Sequence, residues 1–174
     1  MLAIPHVETA DQQRQVREIF WEYLSWGNPL AEAAFGTQFD IQAVLEQDMA
    51  DLQKFAPPRG RLLLAYADGQ LAGCAGLRAI GMEIGELKRM YVRPQHRGQG
   101  IGRALLSAII AEARQIGYTT LRLDSPAFSH AAHTLYRAAG FTPIGPYPQS
   151  EIAAALHPQW HFMELPLTGH AGRG

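Results

Sequence analysis

At 174 residues, with 47% hydrophobic and 18% charged side chains, the chain has the composition of one ordinary globular domain, which excludes an intrinsically disordered protein. Lys and Arg number 15 against 16 Asp and Glu, for a net charge of -1, so no global field draws it to nucleic acid or an anionic membrane. A single cysteine, Cys74, excludes an intrachain disulfide framework, Met1 to Thr9 lack a secretory pattern, and no apolar run approaches the roughly 20 residues that cross a bilayer, so a cytoplasmic protein is expected.

In chain order, Leu2 to Val7 is expected as a first strand. Asp11 is placed as the cap of a helix to about Ser25, with Val16, Ile19, Phe20, Tyr23 and Leu24 on one side and Gly27-Asn28-Pro29 as its end. A second helix is expected from Ile41 to Phe55, capped by Asp40 and stopped by Pro57-Pro58. Arg61 to Ala67 and Gln70 to Leu77 flank Asp68-Gly69, a strong hairpin signal. Glu83 to Val92 reads as a strand. Gly98 to Gly117 is the best helix in the chain, with Ile101, Leu105, Ala108, Ile109, Ala113 and Ile116 at helical spacing and a terminal glycine. A strand over Thr119 to Asp124, a helix over Ser129 to Ala139 closed by Gly140, and strands over Phe141 to Ile144 and His161 to Leu167 complete the pattern. The fold class is therefore α+β, a mixed sheet with helices on its faces. Residues 1–167 are expected as a single domain, followed by a frayed tail over residues 168–174.

The chemistry concentrates between Glu86 and Gly102. A strand ends at Val92, Arg93-Pro94 turns the chain, and Gly98, Gly100 and Gly102 open the long helix. Glycine costs up to about 1 kcal/mol in a helix interior, so three of them suit a ligand that approaches the backbone closely. The first N–H groups of a helix lack intrahelical acceptors and lie at the positive end of its dipole, which favours an anion such as phosphate. Lys88, Arg89, Arg93, Arg97 and Arg103 fall in the same stretch, five of the 15 Lys and Arg. The pattern G-x-x-x-x-G-K-[ST] is absent, and the spacing G-x-G-x-G is not the dinucleotide fingerprint G-x-G-x-x-G.

Arg97-Gly-Gln-Gly-Ile-Gly102 resembles the R/Q-x-x-G-x-G/A signature of the GNAT N-acetyltransferase superfamily. Glu86 to Val92 resembles the family's fourth strand, and Leu135-Tyr-Arg-Ala-Ala-Gly-Phe141 resembles its L-Y-x-x-x-G-F segment. The three blocks stand in the family's order, and the expected elements fit from Leu2 to Leu167. The resemblance implies an enzyme of the GNAT fold that takes acetyl-CoA as cosubstrate and acylates a primary amine of a small-molecule or peptidic acceptor. It implies neither a metal nor a nucleic-acid or membrane partner, and leaves a homodimer open. A non-catalytic acyl-CoA-binding or regulatory domain of the same fold, or a transferase with another acyl donor, is the alternative.

Carried over residue by residue, the resemblance implies that backbone N–H groups of Arg97, Gly98, Gln99, Gly100, Ile101, Gly102 and Arg103 hold the pyrophosphate of coenzyme A. Met90, Tyr91 and Val92 hold the pantetheine arm through backbone groups. A bulge in this fourth strand splays it from the fifth and opens a V-shaped cleft, and the charges Glu86, Lys88 and Arg89 fit that, because a central strand buried on both faces would read as continuously apolar. An acceptor amine with a pKa near 10.4 must be deprotonated to attack, the intermediate needs a donor at its oxyanion, and the departing thiolate needs a proton. The resemblance implies Glu86 as general base, often acting through water, Tyr136 as proton donor to the coenzyme A sulfur, and a backbone N–H near Met90 as oxyanion donor. Transfer is direct, so Cys74 need not be a nucleophile. Ser129 stands where many relatives have an asparagine seven residues before the tyrosine, and reaches less far toward the cofactor.

His130 with His133, and His157 with His161, read as surface histidines in preference to metal ligands. Phe20, Trp21, Tyr23, Trp26, Phe35 and Phe39 read as core at helical spacing, with Glu22 and Glu32 nearby. The alternative for that region is a wall of the acceptor pocket, and the Pro-rich loop from Gly145 to Pro158 is a second candidate wall.

Overall fold

The computed structural model describes residues 1–167, so the expected tail lies outside the described residues. Seven strands make one sheet: β1 (Leu2–Ala3), β2 (Arg61–Ala67), β3 (Gln70–Ala79), β4 (Ile84–Val92), β5 (Thr120–Pro126), β6 (Thr142–Ile144) and β7 (Trp160–Pro166). Their order across the sheet is β1-β2-β3-β4-β5-β7-β6. Only β4 and β5 run parallel; the other neighbours are antiparallel. Four α-helices cover the sheet: α1 (Ala10–Phe35), α2 (Ile41–Ala50), α3 (Ile101–Ile116) and α4 (His130–Ala138).

The continuous apolar run of β2 follows from burial on both faces. Leu63 and Ala65 join Leu77, Leu87, Leu105, Ile109, Leu121 and Tyr136 in one core, under α3 and α4. Leu62 and Leu64 point the other way, into a second core with Val16, Ile19, Phe20, Leu45 and Phe55 under α1 and α2. At the turn between β2 and β3, Asp68 and Gly69 take φ of 49° and 79°, which suits a tight two-residue hairpin.

Four expected boundaries shift. The first strand is interrupted at Pro5, which has no N–H to donate, and pairing resumes only at His6 opposite Leu63. Thr9 caps α1 in place of Asp11: its hydroxyl accepts from the Gln12 N–H (3.1 Å) and its own N–H donates to the Gln12 side chain (3.0 Å), a reciprocal capping box. The helix then runs straight through Gly27-Asn28-Pro29 to Phe35 and closes at Gly36 with φ 68°. Proline removes one N–H and crowds the preceding turn, but tertiary packing outweighs this. Trp26 packs on Tyr91 and Phe128, and Phe35 packs on Phe128 and Trp160. The expected second helix ends at Ala50, and a 3-10 turn over Leu52–Phe55 drives the Phe55 ring into the core.

Candidate active site

Between β3 and β4, Cys74 faces Tyr91 and Gly76 faces Lys88, so β4 carries one extra residue at Arg89-Met90. Arg89 takes φ 53°, a strained value for a side chain that is not glycine. Two contacts fix it: its guanidinium forks onto the Asp48 carboxylate (2.6 and 2.8 Å), and its carbonyl accepts from the Cys74 thiol (3.1 Å). The expected bulge is therefore present, with Asp48 of α2 as a partner that the sequence reading did not find. The parallel pairing of β4 with β5 stops at Leu87 opposite Leu123, whereas β5 continues to pair with β7 as far as Pro126. Past Leu87 the two central strands no longer pair, as the expected V-shaped cleft requires.

At the rim of the cleft, a 3-10 turn over Pro94–His96 leads into the glycine loop. Gly98 and Gly100 take φ of 76° and 78°, and no heavy atom lies within 4 Å of where a side chain would begin. No side chain caps α3 at Gly100, and among the described residues the N–H groups from Gly98 through Arg103 bond to no acceptor. A Cβ at Gly102 would meet Leu135, Met90 and Val92 at 3.4 to 3.8 Å, so this glycine seats the helix closely on β4 and α4. The result is an open row of donors at a helix N-terminus, suited to a diphosphate.

Arg97 departs from its expected place. Its N–H donates to the Pro94 carbonyl (3.2 Å), its Nε–H donates to the Val92 carbonyl (3.0 Å), and its guanidinium lies over Trp26 and Tyr91. The Arg97 N–H and the Val92 carbonyl are thus already engaged. The expected basic cluster also disperses. Arg93 pairs with Glu22 and Glu18, Arg89 with Asp48, and Lys88 with buried carboxylates, leaving Arg97 and Arg103 exposed near the loop.

Tyr136 of α4 is 6% exposed and packs on Phe141. Its hydroxyl bonds to no group among the described residues, and it is not sealed off from solvent. Burial raises its pKa, and the nearby Tyr23 and Asp124 raise it further, so it stays protonated at neutral pH and can donate. Ser129 occupies the N-cap position of α4, but its hydroxyl caps nothing.

Glu86 is fully buried. Its Oε1 accepts from Arg78 Nε (2.7 Å) and its Oε2 from the Tyr147 hydroxyl (2.7 Å). Lys88 lies two residues along the same strand face, its Nζ 3.9 Å from Glu86, 3.7 Å from Asp124 and 3.4 Å from Glu151. The loop between β6 and β7 closes over this cluster. Ser150 donates to Asp124 Oδ2 (2.9 Å), and Arg78 donates to the Gln149 carbonyl (2.8 Å) and pairs with Glu151 (3.1 Å). Burial alone would raise the Glu151 pKa, but Lys88, Arg78 and Lys54 hold it at about 2. Sequence reasoning named the loop but not Tyr147, Ser150, Glu151 or Asp124. Their signal was weak, because each pairs with a residue far away in the chain.

Cys74 is fully buried and its thiol is pushed up to about 12, unsuited to nucleophilic chemistry. His133, expected at the surface, is buried, bonded to Ser125 (3.0 Å) and stacked on His161 (4.3 Å between ring centres). Among the described residues, no three His, Cys, Asp or Glu side chains converge as a metal site.

The family model described as "Acetyltransferase (GNAT) family" matches residues 14–141. The chain is similar to an IAA acetyltransferase of Azospirillum brasilense, 38% identical over 133 residues, which covers 74% of this chain and 82% of that protein. Among solved structures it is similar to a candidate acyl-CoA N-acyltransferase of Klebsiella pneumoniae, with a TM-score of 0.71 and 28% identity over 96% of this chain and 98% of that one. It is likewise similar to a candidate acetyltransferase of Salmonella typhimurium solved with its cofactor acetyl-CoA, with a TM-score of 0.66 and 26% identity over 99% of this chain and 98% of that one.

Proposed function

Because this chain belongs to the GNAT acetyltransferase family, and so is an acyltransferase that uses acetyl-CoA, we propose that it passes the acetyl group directly to a primary amine of a small-molecule or peptidic acceptor. The observation that carries the proposal is the row of unbonded N–H groups from Gly98 through Arg103, beside a cleft whose one wall is Tyr136. That row fits the diphosphate of coenzyme A, with Arg97 and Arg103 contributing charge from their side chains. Past the bulge, the backbone of β4 that turns away from β3 has no strand partner in β5, which suits an extended, amide-bearing pantetheine arm at Met90 and Tyr91.

Each residue then has a task. The Met90 region offers a backbone donor to the carbonyl oxygen as charge builds there. Tyr136 gives its proton to the departing sulfur, and Ser129, whose hydroxyl caps nothing, is left available for a contact with the cofactor. Glu86, enclosed by Arg78 and Tyr147, fastens the acceptor-side loop to the sheet. α1, with Tyr23 and Trp26, and the loop over residues 145–158 form the two walls of the acceptor site. A cytoplasmic setting suits this reading, because acetyl-CoA is the cosubstrate and no helix of the described residues is long and apolar enough to cross a membrane.

The test is release of free thiol from acetyl-CoA against a panel of primary amines. At least one amine is expected to support turnover, and Tyr136→Phe is expected to lose about 100-fold in kcat while binding acetyl-CoA as the wild type does. Failure of the wild type to bind acetyl-CoA would overturn the cleft assignment. Binding without turnover on any amine would favour a non-catalytic acyl-CoA-binding domain.

A further inference from the structure

Both oxygens of Glu86 already accept a hydrogen bond, and the side chain is fully buried. A second carboxylate stands better. Asp124 is the first residue of β5 beyond the last rung shared with β4, so it lies where the cleft opens. Its side chain is only 6% exposed. Oδ2 accepts from Ser150 and faces Lys88, whereas Oδ1 has no hydrogen-bond partner among the described residues and is not sealed off. We propose that Asp124 is the catalytic residue that takes the proton from the acceptor amine, and that Glu86 is a positioning residue that holds Tyr147 and the loop behind it. This rests on the amine-acetyltransferase reading above.

Several elements converge on Asp124. Lys88 faces it from β4, with Glu86 behind Lys88. Ser150 bonds to it from the loop, which also carries Tyr147, bonded to Glu86, and Glu151, paired with Lys88. The charge of Asp124 acts on the hydroxyls of Tyr23, Tyr136 and Tyr147, which belong to three different elements. Glu86 acts on the hydroxyl of Tyr147 but is not among the influences on Tyr136. The proton donor for sulfur and the proton acceptor for nitrogen must both reach the reacting centre, and Asp124 stands where β4 and β5 part, near enough for its charge to act on Tyr136.

The step balances. An acceptor arriving as an ammonium first gives one proton to solvent through the open Oδ1. The neutral nitrogen then forms the C–N bond to the acetyl carbon and gives its second proton to Asp124 Oδ1. The C–S bond breaks, and the sulfur takes the Tyr136 proton. Asp124 returns its proton through solvent and Tyr136 recovers one, leaving an N-acetyl product and a free thiol.

The test compares Asp124→Asn, Asp124→Glu and Glu86→Gln with the wild type, on whichever amine the wild type turns over. Acetyl-CoA affinity is measured in each variant to confirm an intact cleft. Asp124→Asn is expected to lose 100-fold or more in kcat and to replace the acid limb of the wild-type kcat/KM profile with a rise that levels off only near the amine's own pKa. Asp124→Glu should keep that limb. Glu86→Gln should raise KM for the amine, keep kcat within about tenfold of the wild type and keep the limb. An acid limb intact in Asp124→Asn and absent in Glu86→Gln would overturn the proposal and return the base to Glu86. A wild type that turns over no amine would instead overturn the acceptor reading, and the proton route with it. If Asp124→Asn binds no acetyl-CoA, the Asp124→Glu profile decides: loss of its limb overturns the proposal.

Discussion

A buried carboxylate is expensive unless each oxygen finds a donor. Glu86 meets that requirement with Arg78 on one side and Tyr147 on the other. Burial pushes the Tyr147 hydroxyl well above its ordinary pKa, and the charges of Glu86 and Asp124 add to the effect, so it remains a donor throughout the working pH range. Tyr147→Phe keeps the ring, which packs edge-on against Phe162, and deletes only the bond. Hydrogen bonds to charged groups contribute about 1.5–3 kcal/mol, so the variant is expected to lose stability by that amount in urea unfolding. A loss under about 0.5 kcal/mol would mean that water replaces the hydroxyl and that the loop does not depend on this contact.

At the scale of elements, the cleft depends on the bulge in β4, and the bulge depends on α2. Arg89 and Asp48 are both largely buried, so removing one leaves the other's charge uncompensated. Asp48→Ala is expected to cost about 3–5 kcal/mol in chemical unfolding and to weaken acetyl-CoA binding as β4 relaxes toward β5. Unchanged binding would show that the cleft stays open without this pair. The bulge was expected from the family resemblance, and Glu86, Lys88 and Arg89, which interrupt what should be an apolar central strand, agree with it. The glycine loop was legible in the sequence, since Gly98 and Gly100 serve a local backbone geometry. Asp48 was not, because its partner lies 41 residues away and the pattern of α2 gives no hint of it. The end of α1 was misread for a related reason: Gly27-Asn28-Pro29 is a strong local stop, and only the distant rings of Tyr91, Phe128 and Trp160 overrule it. Asn28 is better understood from its tertiary bonds, to the Phe39 N–H (2.8 Å) and carbonyl (3.2 Å). Asp124, Tyr147, Ser150 and Glu151 escaped notice likewise, since only the folded chain brings them together.

For the molecule as a whole, the sheet separates two chemistries. One face is an apolar core under α3 and α4, and the other carries, beyond its own apolar patch, the ionic cluster that faces the acceptor. The two faces should respond to acid at different pH. On the core side, burial first, then the charges of His161, Arg137 and His130, lower the His133 pKa from 6.5 to about 4. The unfolded chain therefore binds a proton on His133 at a pH where the native state does not. Its contribution to stability is complete above pH 6.5, is lost as pH falls to about 4, and does not change further below that. The shift corresponds to a loss on the order of 3 kcal/mol. On the ionic side, Glu151 is depressed from 4.5 to about 2, so its support for the loop is complete above pH 4.5 and is lost between there and about 2. Urea unfolding across pH should thus show two successive acid losses. His133→Gln removes the titrating ring and leaves an amide that reaches about as far as Nε2, toward Ser125. It is expected to flatten the loss between pH 6.5 and 4 and to leave the lower one in place. If the upper loss keeps its full slope in that variant, His133 is not its source, and the buried histidine is neutral for reasons unconnected with acid stability.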